Sequence, residues 1–174
     1  MTNKKAFFFF FWAAASLACM AAIFWFSSQN AEQSSELSGS VTHEIFEAVR
    51  EWIGAPVPQS PDMPEADIID IMETLEVLVR KSAHLAIFFV LGFCSANAVW
   101  QVAKSKRLVF LVSSGWCSFY AATDEFHQYF VPGRACMWQD WLVDVAGVLL
   151  GVGAAFFVFW LTGKRRAKPA RARP

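Results

Sequence analysis

The chain has 174 residues, of which 56% are hydrophobic and 17% are charged. About a quarter of the residues in soluble domains are charged, so this composition excludes an ordinary soluble protein and indicates a membrane protein. A helix needs ~20 residues to cross ~30 Å of hydrocarbon. Four such helices would occupy nearly half of the chain and leave no room for a large soluble catalytic domain.

The first apolar segment, residues 6–26, is predicted to be a membrane helix that the protein keeps. It follows Lys4 and Lys5, as the apolar core of a cleavable signal peptide would. Such a core, however, usually has ~7 to 15 residues and precedes a cleavage site of small residues. This segment is longer and has no clear site of that kind, so we interpret it as an anchor.

Three further apolar segments, residues 83–102, 108–131 and 141–161, predict three more crossings. Four crossings place both termini on one side, which then carries 11 of the 15 Lys and Arg residues and none of the 15 acidic residues. The positive-inside rule assigns that side to the cytoplasm. We therefore predict one all-α domain, residues 1–174: a four-transmembrane-helix bundle of a bacterial cytoplasmic (inner) membrane, with cytoplasmic N and C termini.

The acidic outer side begins with a loop, residues 27–79, that is patterned as two short helices. The first pattern consists of Val41, Ile45, Val49 and Trp52 at helical spacing. Gly54 and four prolines up to Pro64 then break the chain. The second pattern leads into the second crossing and consists of Ile68, Met72, Leu75 and Val79. We assign no chemistry to these helices, which could cap the bundle or lie at the membrane surface.

The third crossing is expected to bring polar side chains to the outer membrane edge. Residues 108–122 would span only ~22 Å at 1.5 Å per residue, so the helix should continue through Val131 until Pro132 and Gly133 stop it. This continuation contains Asp124, Glu125, His127 and Gln128. Ionisable groups inside a membrane usually face a bundle interior or a watery cavity. These four residues are therefore site candidates, with a solvated helix end as the alternative.

Two other crossings carry polar residues at the same level. The second begins with Arg80, Lys81 and His84, and the last two of these share a helical face. The fourth places two carboxylates and two glycines on one stripe: Asp140, Asp144, Gly147 and Gly151. The glycines predict a close contact with another helix, and the third crossing offers a small face formed by Ser114, Ser118 and Ala121. Arg134 follows the turn, so one cluster of both signs is predicted.

The residues of this cluster lie in segments that resemble the VanZ-like family of small integral membrane proteins. These segments are "RKSAH" at 80–84, "DEFHQYFVPGR" at 124–134 and "DWLVDVAGVLLG" at 140–151. The "SSQ" at 27–29 is also similar, so the resemblance extends from about residue 24 to 153. The namesake of the family is associated with low-level resistance to the glycopeptide teicoplanin. The resemblance implies a role in the cell envelope and implies neither a reaction nor drug resistance by this member.

Our first hypothesis is that the cluster binds or moves an anionic envelope molecule, such as a lipid-linked phosphate or a cell-wall precursor. Arg80, Lys81 and Arg134 would supply cations to a phosphate or carboxylate. The candidate ligand-binding residues are Arg80, Lys81, His84, Asp124, Glu125, Gln128, Arg134, Asp140 and Asp144. In the structural alternative, the opposite charges only hold helices together.

The second hypothesis is a membrane-embedded hydrolase or transferase. His84 or His127 would act as a base, and Glu125, Asp140 or Asp144 would orient it or act as an acid. No nucleophile elbow or HExxH motif supports this reading, so an enzyme is less favoured than a binding protein. A metal set of His84, Asp124, Glu125 and His127 lacks diagnostic spacing, and we predict neither a metal nor a cofactor.

The expected partners are membrane lipids. The basic tail, residues 164–174, could contact anionic lipid heads at the cytoplasmic surface. Nucleic-acid binding is not expected beside a membrane anchor. The four cysteines show no spacing typical of a disulfide framework or a metal site, and the number of subunits is left open.

Overall fold

The computed structural model describes residues 3–53, 65–134 and 136–166. It contains five helices over these residues: α1 (Asn3–Ser27), α2 (Ala31–Ile53), α3 (Glu65–Val102), α4 (Lys106–Gln128) and α5 (Trp138–Arg166). No strand occurs in the described residues. The predicted all-α class is therefore confirmed.

Three helical segments are long and apolar enough to cross a membrane, namely Asn3–Ser27, Glu73–Val102 and Trp138–Thr162. They contain the first, second and fourth predicted crossings. α4 has 23 residues but is not in this group, because its serines and the pair Asp124 and Glu125 reduce its mean hydropathy. The third crossing, and with it the four-helix membrane topology, stays a prediction.

α4 ends three residues before the predicted end of the third crossing. Its last residue is Gln128, and the chain then tightens, because Phe130 N donates to His127 O and Val131 N to Gln128 O, each over 3.0 Å. Such i→i+3 bonds are typical of a closing helix terminus. Gly133 follows with a φ of 76°, a conformation that favours glycine.

The helices in the segment predicted to be the first outer loop are longer than expected. α2 already begins at Ala31 and has 23 residues, and α3 has 38 residues and runs from the loop into the second predicted crossing without a break. The predicted break at Gly54 to Pro64 lies outside the described residues, as do residues 167–174 of the basic tail. The side chains of Val49, Trp52, Ile68 and Met72, which carried part of the helical patterns, also lie outside the described part of the structure.

α3 and α5 form the centre of the packing. A Cβ placed on Gly147 would lie 2.5 Å from the carbonyl oxygen of Leu85, and one on Gly92 would lie 2.5 Å from that of Val148. Glycine is required where two helix backbones approach this closely. The glycines of α5 thus make the predicted close contact, but their partner is α3 with its own Gly92 and not the small face of α4.

Large apolar side chains point away from this core along much of the bundle. On α1, for example, Phe7, Phe10 and Trp25 are each about two-thirds exposed. Exposed apolar surface on this scale marks a contact with lipid or with another protein. It suits the membrane helices predicted from the sequence.

Candidate functional site

Charged and polar residues from α3, α4 and α5 surround one cavity of about 310 Å³. Seven of the predicted site residues line it: Arg80, Lys81, His84, Glu125, Gln128, Arg134 and Asp140. The three sequence segments that seemed to lie at one level are therefore brought together in space. Whether these side chains bind a ligand stays a prediction.

The local structure of each segment explains this convergence. Arg80, Lys81 and His84 follow one another within two turns of α3, and Glu125 and Gln128 share a face in the last turn of α4. The turn at Pro132 is tied to the start of α2, because Ala31 N donates to Pro132 O over 3.3 Å. This tie and the positive φ of Gly133 fix the turn that carries Arg134.

One ion pair crosses the mouth of the cavity. Lys81 Nζ lies 2.8 Å from Asp140 Oδ1, and both side chains are about one-third exposed, at 38% and 33%. Exposed pairs of this kind contribute ~1 kcal/mol or less to stability. The pair nevertheless neutralises one cation and one carboxylate of the cluster.

The two arginines of the cavity make neutral contacts. Arg80 Nη2 donates to Ser35 Oγ over 3.2 Å, and Arg134 Nη2 donates to the carbonyl oxygen of Phe26 over 3.3 Å. The Nε atom of each guanidinium is buried and has no partner among the described residues. Burial and the nearby charge of Arg80 lower the pKa of Arg134. Both guanidinium groups therefore keep donors for a further acceptor.

Glu125 is only 3% exposed and is fixed by the start of the segment that leads into α5. Its Oε2 accepts a hydrogen bond from Met137 N over 3.1 Å. Its Oε1 is buried and finds no partner within the described part of the chain. Leaving a buried polar atom unpaired is costly, so this carboxylate indicates a place where an additional donor or ion could bind.

Two further carboxylates, those of Asp124 and Asp144, are buried and do not line the cavity. Asp124 Oδ2 accepts from Ser27 Oγ over 2.8 Å and from Gln128 Nε2 over 3.1 Å. Asp144 is fully buried, and its Oδ1 lies 3.3 Å from His84 Nδ1. One donor atom from each of His84, Asp124 and Asp144 lies within 4.8 Å of the other two. These three residues could therefore hold a metal ion.

His127 is the one predicted candidate that the structure places elsewhere. Its ring stacks on Phe24 of α1 with a centroid distance of 4.7 Å, and its Nε2 lies 3.2 Å from Ser28 Oγ. It does not line the cavity. The ring therefore fastens the end of α4 to the end of α1, and a role for His127 as a base in this cavity has no geometric support.

A second cavity of about 290 Å³ adjoins the first and has a different character. Apolar side chains of α1, α2 and α3 dominate its walls, among them Ile23, Leu37, Val79 and Ile87. Arg80, His84 and Arg134 line both cavities. A polar chamber and an apolar chamber thus meet at the two arginines.

Two serines near the site were missed by reasoning from the sequence. Ser27 binds Asp124, and Ser35 accepts from Arg80. The "SSQ" segment at 27–29 was noticed only for its family resemblance, and Ser35 carried no signal apart from its position at the start of α2. A buried hydroxyl at the end of an apolar helix is the feature that could have identified Ser27.

The chain was compared with known proteins and protein families. No curated protein and no solved structure shows a detectable match. The family model described as VanZ/LLP1 matches residues 11–160, which contain α2, α3 and α4 completely, most of α1 and of α5, and every residue of the polar cavity. The chain therefore belongs to the VanZ/LLP1 family.

Proposed function

We propose that this protein binds, or moves, an anionic lipid-linked molecule of the bacterial cell envelope, such as a lipid phosphate or a cell-wall precursor. The observation that carries the proposal is the pair of adjoining cavities that share Arg80 and Arg134. An amphipathic ligand needs a polar chamber for its head and an apolar one for its chain. The two arginines lie at the junction, where the anionic group of such a ligand would be.

The charges of the polar cavity are compatible with an anion. Its five ionisable residues other than His84 are three cations and two carboxylates, and Lys81 is already paired with Asp140. Arg80 and Arg134 bind neutral oxygen atoms instead. Their planar groups can bind phosphate or carboxylate through two parallel bonds. Neither arginine forms an ion pair with a carboxylate of the described residues, so both guanidinium groups remain available to the ligand.

The apolar cavity supports a ligand with a hydrocarbon chain. It opens between α1, α2 and α3 and is lined by residues of the candidate membrane helices, such as Ile23 and Ile87. A hydrocarbon chain bound in this cavity would contact apolar protein side chains in place of membrane lipid. A water-soluble anion would not bury apolar atoms against this surface, so a lipid-linked anion is favoured.

The proposal includes the predicted topology: four crossings with α4 as the third, both termini in the cytoplasm and the cavity on the outer face. The distribution of basic residues supports it. In a variant without native cysteines, a membrane-impermeant thiol reagent should label Glu36→Cys but not Lys104→Cys in intact spheroplasts. Both positions are exposed. Labelling of Lys104→Cys alone would reverse the orientation and contradict the proposal.

The binding proposal is tested by the lipids that remain with the protein after gentle purification. Mass spectrometry should detect an anionic polyprenyl or glycerol-based phosphate that is retained by the protein. In Arg134→Gln the retained amount should fall at least ~10-fold, which corresponds to a loss of about 1.4 kcal/mol. Arg107→Gln, an exposed arginine at the other end of α4, is the matched control and should retain the wild-type amount. Equal retention by Arg134→Gln would overturn the proposal.

One observation favours a second candidate function, a hydrolase or transferase. His84 and Asp144 form a close pair at 3.3 Å beside the cavity, and a carboxylate that orients a histidine is a common acid–base arrangement. If the protein is an enzyme, the purified protein should convert a lipid phosphate or pyrophosphate into product, and His84→Gln should abolish the conversion. Retained lipid without product would exclude this candidate.

A role in glycopeptide tolerance is the physiological extension of the proposal and follows from family resemblance. A protein that withdraws or exposes a cell-wall precursor would alter the amount of drug target at the outer surface. Deletion of the gene should then change the concentration of teicoplanin that inhibits growth. Restoration by the wild-type gene, but not by Arg134→Gln, would connect the phenotype to the cavity.

A further inference from the structure

We propose that His84, Asp124 and Asp144 form a binding site for one divalent transition-metal ion next to the polar cavity. Their donor atoms lie within 4.8 Å of one another. Donors placed ~2.1 Å from one ion are ~3 to 4.2 Å apart, so small side-chain movements would complete the site. The proposal does not rest on the binding of an anionic lipid. It departs from the sequence analysis, in which no metal was predicted.

The burial of the two aspartates is the first argument for an ion. Asp124 is 3% exposed and Asp144 is 0% exposed. An isolated carboxylate is costly to remove from water unless a cation or several donors compensate it. Lys81 is already paired with Asp140, and no ion pair joins a lysine or arginine to either buried aspartate in the described part of the chain. A dication between the two buried aspartates would compensate both charges.

The unused oxygens of the aspartates are the second and independent argument. Asp124 Oδ1 and Asp144 Oδ2 are buried without a hydrogen-bond partner in the described residues. The other oxygen of each carboxylate already has a contact. Asp124 Oδ2 accepts from Ser27 and Gln128, and Asp144 Oδ1 lies 3.3 Å from His84 Nδ1. The hydrogen bonds from Ser27 and Gln128 orient the Asp124 carboxylate, in the way that outer partners fix metal-binding side chains. The free oxygens remain for an ion.

The donor set determines the class of metal. One imidazole nitrogen and two carboxylates suit Zn²⁺ and Mn²⁺, whereas Mg²⁺ prefers oxygen donors and water. The Irving–Williams order places Zn²⁺ above Mn²⁺ in affinity. Three protein ligands also leave at least one position for water or an anion. Because His84 lines both cavities, that position would lie near the proposed ligand chamber.

The experiment measures Zn²⁺ binding by equilibrium dialysis of the full chain in detergent after removal of any affinity tag. The exposed residues Cys136 and His43 are first replaced, as Cys136→Ser and His43→Gln, because they could bind Zn²⁺ adventitiously. This background protein should bind one Zn²⁺ per chain, should bind Mn²⁺ at least ~10-fold more weakly and should not bind Mg²⁺ in the same concentration range.

Substitutions within the site then identify the ligands. Asp144→Asn and Asp124→Asn should each weaken Zn²⁺ binding at least ~10-fold, as expected for the loss of a ligand. Glu36→Gln, the same chemical change at an exposed position of α2, should bind Zn²⁺ like the background protein. If either aspartate variant does not fold, His84→Gln gives the same test. Absence of stoichiometric Zn²⁺ binding by the background protein, or unchanged affinity in a folded ligand variant, would overturn the proposal.

Discussion

The two ends of the α3–α5 pair differ in the kind of residue that they bury. In the half that contains Gly92, Val148 and Gly151, most buried residues are apolar or small, with Asn97 as an exception, and the backbones almost touch. At the other end the buried residues include Asp124, Glu125 and Asp144, with several oxygens unpaired among the described residues. Close backbone contact distinguishes the first region, whereas in the second several buried oxygens lack a hydrogen-bond partner among the described residues. Regions that break the usual rules of burial are where function is expected.

The largest effect is expected in the close-packed half. A Cβ on Gly151 would overlap the carbonyl oxygen of Phe89 on α3, whereas one on Gly153 meets nothing within 4 Å. Gly151→Leu should therefore separate α3 from α5 and lower stability by at least ~3 kcal/mol. Gly153→Leu, two residues away, should leave stability unchanged or slightly increased, because leucine favours the helix by ~0.5 to 1 kcal/mol. Thermal unfolding in detergent measures the difference, and equal melting temperatures would contradict the packing described here.

A smaller loss of stability is expected where a buried carboxylate loses a donor. Ser27→Ala removes one of the two hydrogen bonds to Asp124 Oδ2, and bonds to charged groups contribute ~1.5 to 3 kcal/mol. Ser40→Ala is the matched control, because this exposed hydroxyl binds only the backbone of its own helix at Leu37. The free energy of unfolding, measured with denaturant, should fall in Ser27→Ala and stay within ~0.5 kcal/mol in Ser40→Ala. A loss of the same size in both variants would show that Asp124 does not depend on Ser27.

Glu125→Gln should separate function from stability at the polar end. The amide oxygen of glutamine can still accept from Met137 N, so we expect stability to change by less than ~1.5 kcal/mol. The negative charge is lost, and with it the electrostatic balance of the cavity. The protein should insert normally, but a strain that carries Glu125→Gln in place of the wild type should show the same teicoplanin sensitivity as the deletion strain. Full phenotypic activity would count against a functional role of this carboxylate.

The smallest effect is expected at the cavity mouth. Lys81→Gln removes the ion pair with Asp140, whose partners are about one-third exposed. Such pairs contribute ~1 kcal/mol or less and are screened by salt. The change in unfolding free energy should therefore be small and should disappear at high ionic strength. A loss of several kcal/mol would mean that the pair is part of the packed structure rather than of the ligand chamber.

Much of the fold was accessible from the sequence, because the length of an apolar segment is a strong signal for a membrane helix. The all-helical class and the first, second and fourth apolar helices were predicted correctly. The partner of the α5 glycines was not. The small residues of α4 and Gly92 of α3 offer comparable faces, and only tertiary packing decides between them.

The candidate site was less fully predicted than the fold. Periodicity placed Lys81 and His84 on one helical face and the two α5 carboxylates on another, whereas His127 was considered as an alternative base in the enzyme hypothesis. A helix turn of 100° per residue separates neighbours such as His127 and Gln128, and the structure turns Gln128 inward and His127 toward Phe24. The second cavity was not foreseen, because it depends on how α2 lies against α1 and α3.

The most direct test of the central claim compares two ligands that differ only in the presence of a phosphate group. Native mass spectrometry of the detergent-solubilised protein should show that a polyprenyl phosphate binds at least ~10-fold more tightly than the corresponding uncharged polyprenol, a difference of about 1.4 kcal/mol. The preference should disappear in the double variant Arg80→Gln and Arg134→Gln, while the weak binding of the alcohol should remain. Equal binding of both ligands by the wild-type protein, or an unchanged preference in the folded double variant, would contradict the claim that the two arginines hold the anionic head of a lipid.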